Sequence, residues 1–370
     1  MVRKLVETHF STKNKNAFLK LRRKILSHPK AVRGIILVFI VIVVAGLGIA
    51  GMRAVSKTRV GSAVGLARDF LFPSTDRVRM SGERINILIL GRGGQGHESP
   101  DLTDTVIVAS ISTTTNQVTL ISIPRDIWIP DLKDKINSVY GYGRQKGSSV
   151  TGLILAKSTV EEIVGLQINY GVNIDFSAFE KIIDGLGGIE VEVKTGFRDS
   201  KYPLVGKEND NCGGDKTYAC RYETITFGSG VQTMNGETAL KFVRSRHGDN
   251  EEGNDIARER RQQLVIASII RKVSLPETLV NLERIRNLVE IIERSVESDM
   301  TASEGVTLVR YLVNSRQNVK SYTIPEGLLY NPPDQYKYFN SLYNHAFVFV
   351  PARKDGKWDD VFQWIDSVVP

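Results

Sequence analysis

The residues best able to do chemistry lie in short polar segments that border apolar runs. Asp101-Leu102-Thr103-Asp104 sets two carboxylates three positions apart, a spacing that can share a divalent cation. Mg²⁺ takes one or two carboxylates and completes its shell with water and phosphate oxygens. Standing alone, the same acids serve as caps and turn formers. Further along come Ile123-Pro124-Arg125-Asp126, Lys135-Ile136-Asn137, Arg244-Ser245-Arg246-His247 and Asp255-Ile256-Ala257-Arg258-Glu259-Arg260-Arg261-Gln262-Gln263. In an extended segment, Arg244 and Arg246 point the same way. On a helix, Arg258, Arg261 and Gln262 share a face. Each arginine singly reads as a surface ion pair. Together they are costly to gather unless they surround a polyanion such as pyrophosphate, whose oxygens accept bidentate guanidinium pairs.

A glycine-rich turn, Gly91-Arg92-Gly93-Gly94-Gln95-Gly96, allows close backbone approach to a ligand or is simply a flexible loop. It lacks both the Gly-Lys-Ser/Thr ending of a phosphate loop and the dinucleotide spacing.

These segments need elements to hold them. Ile85–Leu90, Thr105–Ile111 and Val118–Ile123 are β-branched runs of strand length, apolar enough to be covered on both faces. Residues 152–164 and 176–186 read as helices, and Tyr170–Ile174 and Ile189–Val193 as strands. Residues 194–235 are long and polar and read as an insertion rather than core. Helices resume over 236–243, 256–273, 276–298, 301–314 and 359–368, with late strands at 319–324 and 346–350. The predicted architecture is α/β: one α/β/α sandwich, a mixed central sheet flanked by helices, from about residue 84 to 370. Several candidate residues then sit at strand ends, where open α/β sheets place ligands.

The net charge of +8 is not spread evenly. Residues 1–33 carry ten Lys/Arg against Glu7, and the rest of the chain carries 39 basic against 40 acidic residues. Without a helix-turn-helix pattern in that tail, nucleic acid is not the expected partner. The tail abuts 19 uncharged residues, 34–52, a helix of about 29 Å that matches the hydrocarbon core. A cleaved signal peptide is the competing reading, but the apolar run exceeds the usual h-region. The basic flank predicts a cytoplasmic N-terminus, attraction to anionic membrane lipid, a tether over 53–83 and an extracytoplasmic domain. Cys212 and Cys220, eight apart in that exported part, fit a disulfide, with free thiols as the alternative.

The segments INILILGRGGQG, LTDT, VTLISIPRDIWI, DKINSVYGYG, FEKIIDGLGGIEV, VQTMNGETALKFVRSRHGD and ARERRQQ, in this order over about 85–270, resemble the successive motifs of the LytR-CpsA-Psr family. The IPRD, DKIN and VRSRH elements together are specific. The resemblance implies a membrane-anchored, Mg²⁺-dependent phosphotransferase that moves a glycopolymer such as teichoic acid or capsule from a polyprenyl-pyrophosphate carrier to peptidoglycan or another cell-wall acceptor, releasing polyprenyl phosphate. It assigns pyrophosphate binding to Arg125, Lys135, Arg244, Arg246, Arg258 and Gln262, and the metal to Asp104. Asp126, Asp104 and Asp255, beside Arg125, are the catalytic candidates, with the proton acceptor left unranked. Where many members carry a second metal-binding Asp, this chain has Arg92, so Asp101 is the substitute candidate. Ala257 likewise stands where a Gly is usual. His247 and His97 are weaker candidates. The alternatives are a polyprenyl-pyrophosphate phosphatase, or a non-catalytic lipid-binding membrane regulator that acts as a transcriptional attenuator.

Overall fold

The computed structural model describes residues 78–369, apart from 98, 208, 280, 333–342, 344–345 and 354. The basic tail, the apolar stretch 34–52 and most of the expected tether lie outside the described residues. Among those described, no helix is long and apolar enough to cross a membrane.

Strands β1 (Arg84–Arg92), β2 (Thr103–Ser112) and β3 (Val118–Ser122) form an antiparallel meander. A small hairpin, β4 (Trp128–Ile129) with β5 (Asp134–Lys135), leads into helices α1 (Val139–Lys146) and α2 (Ser149–Val164). β6 (Tyr170–Asp175) returns parallel to β1, followed by α3 (Phe176–Gly185) and β7 (Ile189–Val193). β8 (Phe197–Pro203) pairs with β9 (Tyr222–Phe227), and β10 (Gly230–Met234) pairs with β7. Then come α4 (Gly236–Arg244), α5 (Asp255–Val273), α6 (Pro276–Leu279) and α7 (Leu282–Ser295). The chain closes with β11 (Val296–Ser298), α8 (Ala302–Ser315), β12 (Val319–Thr323), β13 (Leu329–Tyr330), β14 (Val350–Pro351) and α9 (Asp359–Val368).

The central sheet has six strands in the order β11-β6-β1-β2-β3-β12 and is mixed, as expected. Successive side chains on a strand alternate faces, so each inner strand feeds two cores. Leu88, Leu90, Val106, Val108 and Ile121 pack on one side against residues of α1, α2 and α9. Ile85, Ile87, Ile107, Ile111 and Leu120 pack on the other against α5 and α8. Burial on both faces explains why these strands are almost wholly apolar.

Three sequence expectations are corrected. Residues 194–235 are not a simple insertion: Phe197, Tyr202, Ile225, Phe227 and Met234 are buried in a third core with α3, α4 and α5. Their polar partners misled because β8 is covered on one face only and reads as alternation. The polar excursion proper joins β8 to β9 and carries the Cys212–Cys220 disulfide. The helix expected over 276–298 is instead α6, then α7 capped by Asn281, whose side chain accepts from the Arg284 N–H at 3.0 Å. Its last three residues leave the helix to become β11, pairing antiparallel with β6. The late strand expected at 346–350 is reduced to β14, with Phe349 bridging to Ile127.

Candidate active site

Backbone bonds fix the loop after β3 before any side chain acts. Ile127 N donates to the Pro124 carbonyl at 3.2 Å, Ile136 N to Ile127 at 2.7 Å, and Asn137 N to Arg125 at 3.4 Å. The Thr103 hydroxyl, buried at the start of β2, donates to the Asn137 carbonyl at 3.1 Å. This knot holds Asp104, Arg125, Asp126 and Lys135 together at the sheet edge. Arg125 Nη1 lies 2.5 Å from Asp104 Oδ1, and Lys135 Nζ 2.6 Å from Asp126 Oδ1.

The first turn of α5 supplies the opposite wall. Asn254 caps it by accepting from Ala257 N at 2.8 Å, so the helix start, with its exposed N–H groups and positive dipole end, is well defined. Asp255 receives Arg258 Nη1 at 2.8 Å and Arg246 Nη2 at 3.1 Å. Burial would raise the Asp255 carboxyl, but Arg258 first, then Arg246, with Arg125 contributing, hold it below the usual carboxylate range. The mutual influence of Arg125 and Asp255 joins the two walls electrostatically.

Four cations (Arg125, Lys135, Arg246, Arg258) thus face three aspartates (Asp104, Asp126, Asp255). Two guanidinium donors stay unserved: the buried Nε atoms of Arg125 and Arg258 have no hydrogen-bond partner. Arg125 Nε approaches Asp126 Oδ2 only to 3.5 Å. Unserved buried donors are costly, and they are what an incoming polyanion would satisfy. Arg125, Asp126, Asp255 and Arg258 also line a cavity of about 400 Å³, whose remaining wall includes Ile256, Ile324, Pro325, Leu329, Phe347 and Phe349.

Other candidates fall elsewhere. Arg244 is the last residue of α4, not part of an extended segment with Arg246. Its guanidinium lies over the Phe176 ring at 4.5 Å and donates to Tyr202 Oη at 3.3 Å. Arg261 does not share an open face with Arg258: it is 1% exposed and ties Phe242, Ser245 and Glu252 together. Gln262, one turn beyond Arg258, is half-buried. Asp101 belongs to a second network, receiving Arg92 at 3.1 Å and Arg144 at 2.5 Å. Arg92 also reaches Glu297 at 3.2 Å, so this buried arginine is held between two carboxylates. His97 packs edge-on against Phe176, with ring centroids 4.9 Å apart. His247 donates its backbone N–H to Asp199 at 3.2 Å.

Two residues escaped the sequence reading. Asp199, on β8, is fully buried and orders the backbone that carries Arg246; it sits in the stretch read as an insertion. Glu259 is 8% exposed and lines the cavity, with Oε2 unpartnered. Burial first of all pushes its carboxyl up to about 7, against the pull of Arg258. Among the three arginines of ARERRQQ it looks like part of a solvated helix face, and nothing in the sequence distinguishes it.

Among the described residues, the one grouping with metal-ligand spacing is Asp210 with Cys212 and Cys220. Its sulfurs are joined to each other and offer no thiolate.

Comparisons with known proteins agree on the fold. The chain aligns with the polyisoprenyl-teichoic acid–peptidoglycan teichoic acid transferase TagU of Bacillus cereus, 26% identical over 277 residues, 74% of this chain and 79% of the relative. The TagU of Oceanobacillus iheyensis is 28% identical over 248 residues, 65% of this chain and 67% of the relative. Among solved structures, Bacillus subtilis TagV superposes with a TM-score of 0.53 at 22% identity, covering 78% of this chain and 98% of TagV. TagT bound to LIIa-WTA gives 0.52 at 21%, covering 80% of this chain and 96% of TagT. Residues 64–350 match the model of the LytR_cpsA_psr family, and the chain belongs to that family.

Proposed function

We propose that this chain is a transferase that moves a glycopolymer from a polyprenyl-pyrophosphate carrier to a hydroxyl of peptidoglycan, releasing polyprenyl phosphate. The observation that carries the reading is the junction of two chemistries in one place. Arg125, Arg246 and Arg258, with Lys135, gather around unserved guanidinium donors on the rim of an apolar-walled cavity. A pyrophosphate supplies the acceptors, and an isoprenoid finds the apolar wall. The relatives named as teichoic acid transferases, and the fold neighbour bound to LIIa-WTA, favour the same substrate class.

In this reading the arginines bind the pyrophosphate and stabilise charge that builds on the bridging oxygen as the bond to the leaving phosphate breaks. No covalent enzyme intermediate is needed. Arg244 and Gln262 stand outside the ion-paired centre and the cavity wall. Asp104 fits a Mg²⁺ ligand: its side chain is 45% exposed and its Oδ2 has no hydrogen bond among the described residues. A single carboxylate suffices when water and phosphate oxygens complete the shell. Asp101 fits poorly, since an ion there would face two guanidiniums. When bound, the ion would supply charge neutralisation at the phosphate oxygens. The apolar 34–52 segment would anchor the chain, with the domain on the outer side of the membrane.

The test is a transfer assay with full-length protein in detergent, a labelled polyprenyl-pyrophosphate oligosaccharide, peptidoglycan oligomers and Mg²⁺. Label should reach the peptidoglycan, EDTA should stop it, and Arg125→Ala should cut turnover roughly 10²–10³-fold. Release of sugar phosphate alone would replace the transferase by a phosphatase. Donor binding with no turnover on any acceptor would replace it by a lipid-binding membrane regulator.

A further inference from the structure

We infer that Glu259 is the catalytic proton acceptor for the attacking acceptor hydroxyl, an inference that rests on the transferase reading above. Its position follows from α5. The helix presents Asp255 and Arg258 to the pyrophosphate site, and the next residue, Glu259, turns onto the cavity wall that Arg125, Asp126 and Arg258 also line. The side chain is 8% exposed. Thr323, at the end of β12, lies beside the carboxyl on the same cavity wall, and Oε2 has no hydrogen-bond partner. A buried, unpartnered carboxyl oxygen on a residue that lines a cavity is unfavourable unless a donor arrives with the substrate.

The three aspartates at the site are poorly placed for the same task. Asp126 receives Lys135 and faces Arg125, Asp104 receives Arg125, and Asp255 receives both Arg246 and Arg258. Each acid already serves a cation that the pyrophosphate needs. Around Glu259, Arg258 and Asp255 approach from its own helix, Asp126 from the loop after β3, and Thr323 from β12, with Glu326 on the same cavity wall. Burial is the largest influence and sets the carboxyl near 7, where it accepts a proton readily without binding it permanently.

The step balances as follows. The acceptor hydroxyl oxygen forms a bond to the sugar-side phosphorus while its proton passes to Glu259 Oε2. The bond from that phosphorus to the bridging oxygen breaks, and polyprenyl phosphate leaves with the electron pair. Glu259 returns its proton to solvent once the product has departed.

The experiment uses full-length protein, a synthetic polyprenyl-pyrophosphate disaccharide and peptidoglycan oligomers, with kcat followed from pH 5.5 to 9 and donor affinity measured separately. Wild-type turnover should rise with pH through an acid limb near 7. Glu259→Gln, which keeps the shape of the side chain, should lower kcat by about 10² or more. It should also erase that limb, with donor affinity unchanged. Glu259→Ala should regain turnover on addition of formate. Near-wild-type turnover in the Gln variant, a retained acid limb, or loss of donor binding together with turnover would each overturn the assignment. A wild-type protein that transfers to no acceptor would bring down the transferase reading and this inference with it, an outcome distinct from a failure in Glu259→Gln alone.

Discussion

Asp199 shows how much of the site depends on a residue that never meets the ligand. Its carboxylate accepts from Ser245 Oγ at 2.6 Å, Arg246 N at 3.3 Å, His247 N at 3.2 Å and Lys201 N at 2.8 Å, all in a buried setting. Burial would raise this carboxyl, but the Ser245 bond and the three backbone N–H groups outweigh it and hold it below the usual range. Asp199→Ala leaves those donors unserved and should cost about 2–4 kcal/mol of stability. Donor affinity should also weaken by about tenfold as Arg246 loses its fixed backbone. The pH dependence has a definite sign. A carboxyl depressed on folding contributes fully above its unfolded pKa of about 3.9 and loses that contribution as pH falls through its folded value. Urea midpoints for wild type and Asp199→Asn should therefore converge in acid; a gap that stays constant below pH 4 refutes the assignment. The arginines themselves stand out in the sequence by type and spacing. Their sorting was not, because Arg244 and Arg246 diverge only once Arg244 closes α4 and Ser245 binds Asp199.

Among the elements, what the sequence disclosed was what local periodicity encodes. The inner strands β1, β2, β3 and β6 and the helices α2 and α5 emerge near their expected bounds because each repeats its apolar pattern throughout. What stayed hidden depends on partners far along the chain: β11 exists because β6 offers it an edge, and β10 because β7 does. The crossing of α1 and α2 is another case. A Cβ on Gly143 would lie 2.8 Å from Gly152 Cα, and one on Gly152 would lie 2.8 Å from the Tyr140 carbonyl oxygen. Backbone against backbone leaves nothing flexible to yield, so Gly152→Val should cost about 2–3 kcal/mol. That corresponds to a melting temperature lower by roughly 5–10 °C. Gly305, within α8, has no neighbour within 4 Å of its would-be Cβ. Gly305→Ala should instead stabilise by up to about 1 kcal/mol through helix propensity and reduced unfolded-state entropy. Equal melting shifts in the two variants would show that helix approach is not what the glycine at 152 serves.

For the whole molecule, the decisive feature is how charge is divided along the chain. Ten basic residues and one acid precede the apolar stretch, whereas everything after it carries nearly balanced charge, 39 basic against 40 acidic residues. A domain with no net cationic excess gains little from anionic lipid, while a basic tail gains about 1 kcal/mol per Lys or Arg near the cytoplasmic leaflet. The two ends of the chain are thus expected on opposite sides of the membrane, with the tail retained inside. Within the described residues, the domain is already engaged at Val78, which is buried, and at Arg79, which stacks on Tyr170 and reaches Asp299. The Cys212–Cys220 disulfide suits an oxidising exterior. Protease added to intact spheroplasts should consequently digest the folded domain but spare an epitope placed before residue 34. Disrupting the membrane should expose both. Maleimide should label neither cysteine in intact cells until a reductant is added. If the N-terminal epitope is cleaved in intact spheroplasts while the domain survives, the orientation is reversed, and a cell-wall acceptor could not reach Arg125.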